Sequence, residues 1–170
     1  MTPELAQDLA AYNVWMNEKI YTCASKLADA DLKVDRGAFF GSVHGTLNHI
    51  LVADKLWMGR FTGEPFSVPA LDVELHSDFL ELQKDRVATD KAITAYAAAL
   101  TREKLATDLH YTSMVNPEPR RYELWLAVAH FFNHQAHHRG QISTLLHQAG
   151  IDPGVTDLVF LPAVVARNTE

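Results

Sequence analysis

His134 and His138 stand one helical turn apart in the run Phe-Phe-Asn-His-Gln-Ala-His-His-Arg-Gly-Gln, and His49 lies far upstream in Leu-Asn-His-Ile-Leu. Imidazole is the commonest protein ligand for divalent transition metals, and an i,i+4 pair can aim two nitrogens at one ion, as the zincin helix does. A third donor from another helix would leave one coordination position open, which favours catalysis over a closed structural site. Three neutral imidazoles leave a bound dication its full charge, so water or a thiol in that position loses its proton more readily than in bulk solvent. The chemistry is then either a thiol held beside an electrophile or water held beside a carbonyl or phosphoryl group. Gln135, not Glu, follows His134, so the general base of the His-Glu-x-x-His proteases has no counterpart.

The elements that must position these rings read as helical almost throughout. Thr2 and Pro3 make an N-cap and N1 pair, followed by Leu5, Leu9, Tyr12, Met16, Cys23 and Leu27 at helical spacings. After a polar stretch at 29–37, Ser42 caps a second helix whose stripe is Val43, Leu47, Ile50, Trp57 and Phe61, and Gly63 stops it. Residues 64–72, with Pro65 and Pro69, read as a loop before a third, more polar helix carrying Leu75, Phe79, Leu82, Ile93, Tyr96 and Leu100. The helical period fails over 101–121. There His110, Tyr111 and Thr112 face Arg120, Arg121 and Tyr122 across Asn116, Pro117, Glu118 and Pro119 as a short hairpin. A last helix carries Leu124, Val128, Phe131, Ile142, Leu145 and Ala149 to Gly150, and a tail with residues 157–161 folds back over the rest. The economical architecture is all-α, one domain over residues 1–170 built of four long helices.

At 100° per residue, His138 falls inside the apolar stripe of the last helix, His134 at its flank, and His49 at the flank of the second helix's stripe. Three buried imidazoles without a shared partner would each need separate hydrogen bonds, at about 1 to 3 kcal/mol for each one unmet. One ion satisfies three nitrogens together; ordinary packing of nine histidines is the competing account. His130 and His137 lie farther from the stripe and read as surface or supporting residues. His44, His76, His110 and His147 are not leading ligands. Asp54, in mid-stripe, needs a cation, amide donors or a metal-bound group; a structural pair with Arg139 or an amide is the plainer expectation. Gln141 could anchor a ligand nitrogen, with solvent or interhelix bonding as the default. Asn48 and Asn133 precede two candidate ligands but point about 100° away from them. Gly140 either admits a close helix approach or is merely tolerated, and Trp15, Trp57 and Trp125 read as packing residues.

The formal charge of −6 offers no field to hold a phosphate backbone, so nucleic acid is not an expected partner. Cys23, the single cysteine, makes no internal disulfide and sits in an apolar stripe, which points to a small buried hydrophobe and a reducing cytoplasm. Neither a signal-like N-terminus nor an apolar run of about 20 residues is expected to bring the chain to a membrane.

Three pieces, Tyr-Asn-Val-Trp-Met-Asn (12 to 17), Phe-Phe-Gly-Ser-Val-His-Gly-Thr-Leu-Asn-His-Ile-Leu-Val-Ala-Asp (39 to 54) and Asn-His-Gln-Ala-His-His-Arg-Gly-Gln (133 to 141), resemble the DinB family of bacterial proteins over nearly the whole chain. The resemblance implies a four-helix bundle in an up-down-down-up arrangement, often a homodimer, with a divalent metal, commonly nickel or zinc, held by His49, His134 and His138. Related branches of the superfamily include transferases and isomerases that use low-molecular-weight thiols, so a thiol-dependent reaction on an unknown small molecule, or a hydrolysis, is the implied activity. A metal-binding stress-response or structural bundle without turnover is the alternative.

Overall fold

Thr2 Oγ1 accepts a hydrogen bond from the Leu5 N–H at 3.2 Å, and Pro3 sits in the first turn, where its missing N–H is no loss, so α1 runs Pro3–Ala24. The computed structural model describes residues 1–113 and 117–168. Along them follow α2 (Asp29–Lys33), α3 (Val43–Thr62), α4 (Phe79–Ala98), α5 (Arg102–Leu105), β1 (Asp108–Thr112), β2 (Pro119–Glu123), α6 (Leu124–Gln148), a 3-10 turn (Leu158–Phe160) and α7 (Pro162–Asn168). The chain is mostly helical with a small two-stranded antiparallel sheet, in which His110 faces Arg121 and Tyr111 faces Arg120. Asn116, placed by the sequence at the hairpin tip, lies outside the described residues, as do 169 and 170.

The expected caps are in place. Ser42 Oγ accepts from the Gly45 N–H at 3.0 Å, and Gly63 ends α3 with a φ of 78°, a left-handed conformation that glycine adopts without a Cβ penalty. The short helices α2 and α5 fall in stretches with no apolar period, and the sequence did not announce them. α4 starts at Phe79, capped by Asp78, so Leu75 belongs to the preceding loop.

The buried face of α1 differs from the expected stripe. Leu5 is exposed, while Ala6, Ala10, Asn13, Met16, Asn17 and Ile20 are buried. The face turned because it serves a polar layer. Asn13 and Asn17 donate to Asp90 Oδ1 at 2.7 and 3.0 Å; Arg86 pairs with Asp54 at 2.5 Å and with Asp90 at 2.8 Å; Gln135 donates to Asp54 at 2.9 Å; Arg139 donates to Asn13. On one side of this layer lies an apolar cluster of Met16, Ile20, Leu47, Leu51, Leu82 and Ile142; on the other, one of Ala6, Trp57, Phe61, Ile93, Val128 and Phe131. The tail folds back as expected: Tyr12 donates to the Thr156 carbonyl, and Arg167 pairs with Asp8.

Candidate metal centre

α3 and α6 pack against each other, and Asp54 on the first accepts from Gln135 on the second. Asp54 lies five residues after His49, and Gln135 directly follows His134, so this buried hydrogen bond ties the helices together beside the three histidines. One nitrogen each of His49, His134 and His138 lies within 4.8 Å of the others. His134 Nε2 and His138 Nε2 are 3.1 Å apart, a separation that two bare lone pairs do not hold without a proton or cation between them. The rings stand at 4.4 Å between His134 and His138, 4.6 Å between His49 and His138, and 5.3 Å between His49 and His134.

The other ring nitrogens are tied off. His49 Nδ1 donates to the Leu71 carbonyl at 2.9 Å, and His138 Nδ1 donates to Gln141 Oε1 at 2.8 Å. A proton held on Nδ1 leaves Nε2 as the free donor, the tautomer and orientation that a metal requires. Phe40 stacks on His49 with centroids 3.7 Å apart and meets His138 edge-on at 5.5 Å, fixing both rings from the third side. Burial, and then the positive fields of His138 and His49, push the His134 pKa down to about 3. Burial also lowers His49 and His138. All three rings are therefore neutral near pH 7 and able to donate lone pairs. The donor set, three converging imidazoles with two tautomers fixed, could hold a metal ion.

Two open cavities flank the triad. One, of 230 Å³, runs from His49 and His134 past Trp57 and His130 to Arg60 and Tyr111; the other, of 520 Å³, is bounded by Phe39, Phe40, Asp72, His138 and Gln141.

The remaining sequence candidates resolve individually. Asp54, 1% exposed, is paired with Arg86 and not with Arg139, which lies against Asn13 and the Tyr12 ring. Burial pushes the Asp54 carboxyl up against the pull of Arg86, whose guanidinium the two flanking aspartates keep charged. Arg86 was missed because α4 is the helix with the least apolar patterning, and nothing local marks a buried cation there. His137 is exposed at the rim, and the His130 ring meets that of Trp57 at a tilt, with centroids 5.1 Å apart. His44 donates to the His76 carbonyl at 2.8 Å, and Asn48 Nδ2 donates to the same oxygen at 3.1 Å, so both hold the loop that delivers Leu71. His76 pairs with Asp85. Asn133 is exposed, and a Cβ on Gly140 would meet nothing within 4 Å, so that glycine admits no close helix approach. Trp57 packs in the apolar core as expected, and its edge also lines a cavity. Phe40, although it lies in one of the pieces that carry the resemblance, and Leu71 were not singled out for the site: one acts through ring shape, the other through its backbone oxygen.

The DinB family model matches residues 1–168. Protein DinB of Bacillus subtilis (strain 168) is 26% identical over 160 residues, covering 91% of each chain. A crystal structure of a DinB-like protein from Bacillus cereus ATCC 10987 superposes with a TM-score of 0.59 at 22% identity, over 84% of this chain and 91% of that one, a likeness of fold. None of the helices described is long and apolar enough to cross a membrane. With a match that takes in every element from α1 through α7, the chain belongs to the DinB family.

Proposed function

We propose that His49, His134 and His138 are the ligands of a divalent transition metal, nickel or zinc, and that the protein is an enzyme that transfers a thiol to a small electrophile. The observation that carries this reading is the convergence of three neutral imidazole nitrogens within 4.8 Å. When bound, the ion supplies Lewis acidity and lowers the pKa of a group in its open position. The chain's own part is to orient: Leu71 and Gln141 hold the protons on Nδ1, and Phe40 excludes water from one side of the rings. Thiol chemistry is favoured over hydrolysis by the state of Asp54. That buried carboxylate is spent on Arg86 and Gln135, whereas a thiol, with an ordinary pKa near 8.5, needs little help to ionise. The cavities on both sides favour turnover over a closed metal clip between α3 and α6.

The four long helices are read as one bundle and one domain, in up-down-down-up order. Supporting this, α1 and α6 enter the cluster containing Trp57 first and leave through the one containing Leu51, whereas α3 and α4 travel the other way. A homodimer in the cytoplasm completes the proposal on the strength of the family. The test is metal content after loading, followed by turnover of the loaded protein with electrophiles and a panel of small thiols. A metal-free protein after loading, or a rate unchanged in His49→Ala, overturns the reading.

A further inference from the structure

The 230 Å³ cavity has imidazoles at one end and a cation at the other. Arg60 lies on α3 eleven residues after His49, three turns on and about 20° away around the helix, so both face the same side. Helical side chains lean toward the N-terminus, which carries the guanidinium back toward His49. Its central carbon sits 4.5 Å from the Trp57 ring centre and 4.3 Å from that of Tyr111. The two rings stand 5.4 Å apart, and Trp57 continues through His130, at 5.1 Å, to His134, a further 6.1 Å on. A line of aromatic surface therefore joins the cation to the triad.

Arg60 differs from the arginines that face carboxylates, and, unlike the exposed Arg102, it is half-buried. Arg86, Arg121 and Arg167 each pair with a carboxylate at 2.8 Å or less. Among the described residues Arg60 has neither an ion pair nor a hydrogen bond, although it is half-buried and burial lowers its pKa. A desolvated guanidinium without an anion is costly, and aromatic faces satisfy its plane but leave its N–H edges unused. Those edges form a fork matched to a planar oxyanion. Among the described residues lining this cavity, Arg60 is the one permanent cation, which suits a carboxylate monoanion better than a phosphate dianion.

We propose that this cavity takes a small substrate bearing a carboxylate, which Arg60 grips while the reacting end lies at the three histidines. The inference rests on the triad being the reaction centre. A volume of 230 Å³ is below the usual range for drug-sized ligands, so the molecule is of metabolite size.

The test is calorimetric. The metal-loaded protein is titrated with ω-mercapto acids of three to six carbons, each against its matching mercapto-alcohol, in wild type, Arg60→Gln and Arg60→Lys. At least one acid is expected to bind about tenfold or more tighter than its alcohol in wild type. That preference should vanish in Arg60→Gln, with alcohol affinity and metal content unchanged, and fall in Arg60→Lys, which keeps the charge but loses the fork. No preference in wild type, or the same preference in Arg60→Gln, overturns the proposal; so does tighter binding of inorganic phosphate than of any acid. Should Arg60→Gln fail to fold, Arg60→Lys decides, and full retention of the preference there counts against the fork. Butyrate against 1-butanol on metal-free protein separates the two readings, because a preference there reports on Arg60 even if no metal is ever held.

Discussion

Gln141 Oε1 lies 2.8 Å from His138 Nδ1, one turn further along α6, and accepts a hydrogen bond from the Nδ1–H, which leaves the Nε2 lone pair free. Helical spacing allowed this contact, and the geometry makes it. Gln141→Leu removes the acceptor at a half-buried position where little packing is lost. Metal affinity should fall about 10- to 100-fold with little change in thermal stability. Equal affinities in competition with a chelator would show that the orientation of His138 is set elsewhere.

Deleting a donor is harsher. His134→Ala or His138→Ala leaves two protein ligands, so metal binding should weaken well beyond the effect of Gln141→Leu. Metal analysis after dialysis, alongside wild type, is the check; unchanged stoichiometry and affinity in both variants would refute the ligand assignment.

Acid should destabilise the metal-free protein before Asp8 and Asp85 titrate. His134, held down to about 3 in the fold, returns to about 6.5 on unfolding, so the unfolded chain takes up a proton that the folded chain refuses. Stability is therefore present above pH 6.5 and is lost as pH falls from there toward 3, with a slope of up to about 1.4 kcal/mol per pH unit for this ring. His49 and His138 add in the same direction. Asp8 and Asp85, whose pKa values are lowered by Arg167 and by Lys55 and His76, act only below about pH 4. Urea unfolding between pH 4 and 7 should show the slope in wild type and a flatter one in His134→Gln.

Arg86 is 2% exposed and stands between Asp54 and Asp90. Arg86→Met strands both carboxylates in the interior and should cost about 3 to 5 kcal/mol, read as a drop in the denaturant midpoint. A loss below about 1 kcal/mol would mean that water reaches the layer.

Two glycines inside helices should respond with opposite sign. Replacing a helical glycine by alanine ordinarily stabilises by about 1 kcal/mol, and Gly140→Ala, with open space around its Cβ, should do so. At Gly45 the new Cβ would come within 2.3 Å of the Phe40 carbonyl oxygen, so the backbone leading to the Phe40 ring must shift. Gly45→Ala should lower both stability and metal affinity, since that ring covers His49. A stabilised Gly45→Ala would show that the turn at 38–42 yields freely.

The long helices and the histidine triad were legible because both depend on periodicity: caps, stripes and i,i+4 spacing are local and repeat along the chain. The polar layer was not, because Asn13, Asn17, Arg86 and Asp90 become partners only when α1 and α4 meet. For the same reason the cation expected beside Asp54 was Arg139 and not Arg86, although the expected amide partner is there in Gln135. The hairpin was readable in outline from its breakers, but the placement of Tyr111 over Arg60 is tertiary and left no trace in composition.

The layer of buried charges and amides crosses α1, α3, α4 and α6 at a single level, and each member has its partner on another helix or one turn along its own. Sliding any rod lengthwise by one turn would set those groups against leucine and phenylalanine, whereas apolar contacts alone would tolerate the slip. The layer thus works as an axial ruler. It fixes the height of His49 relative to His134 and His138, so substitutions far from the imidazoles can spoil their alignment without touching them.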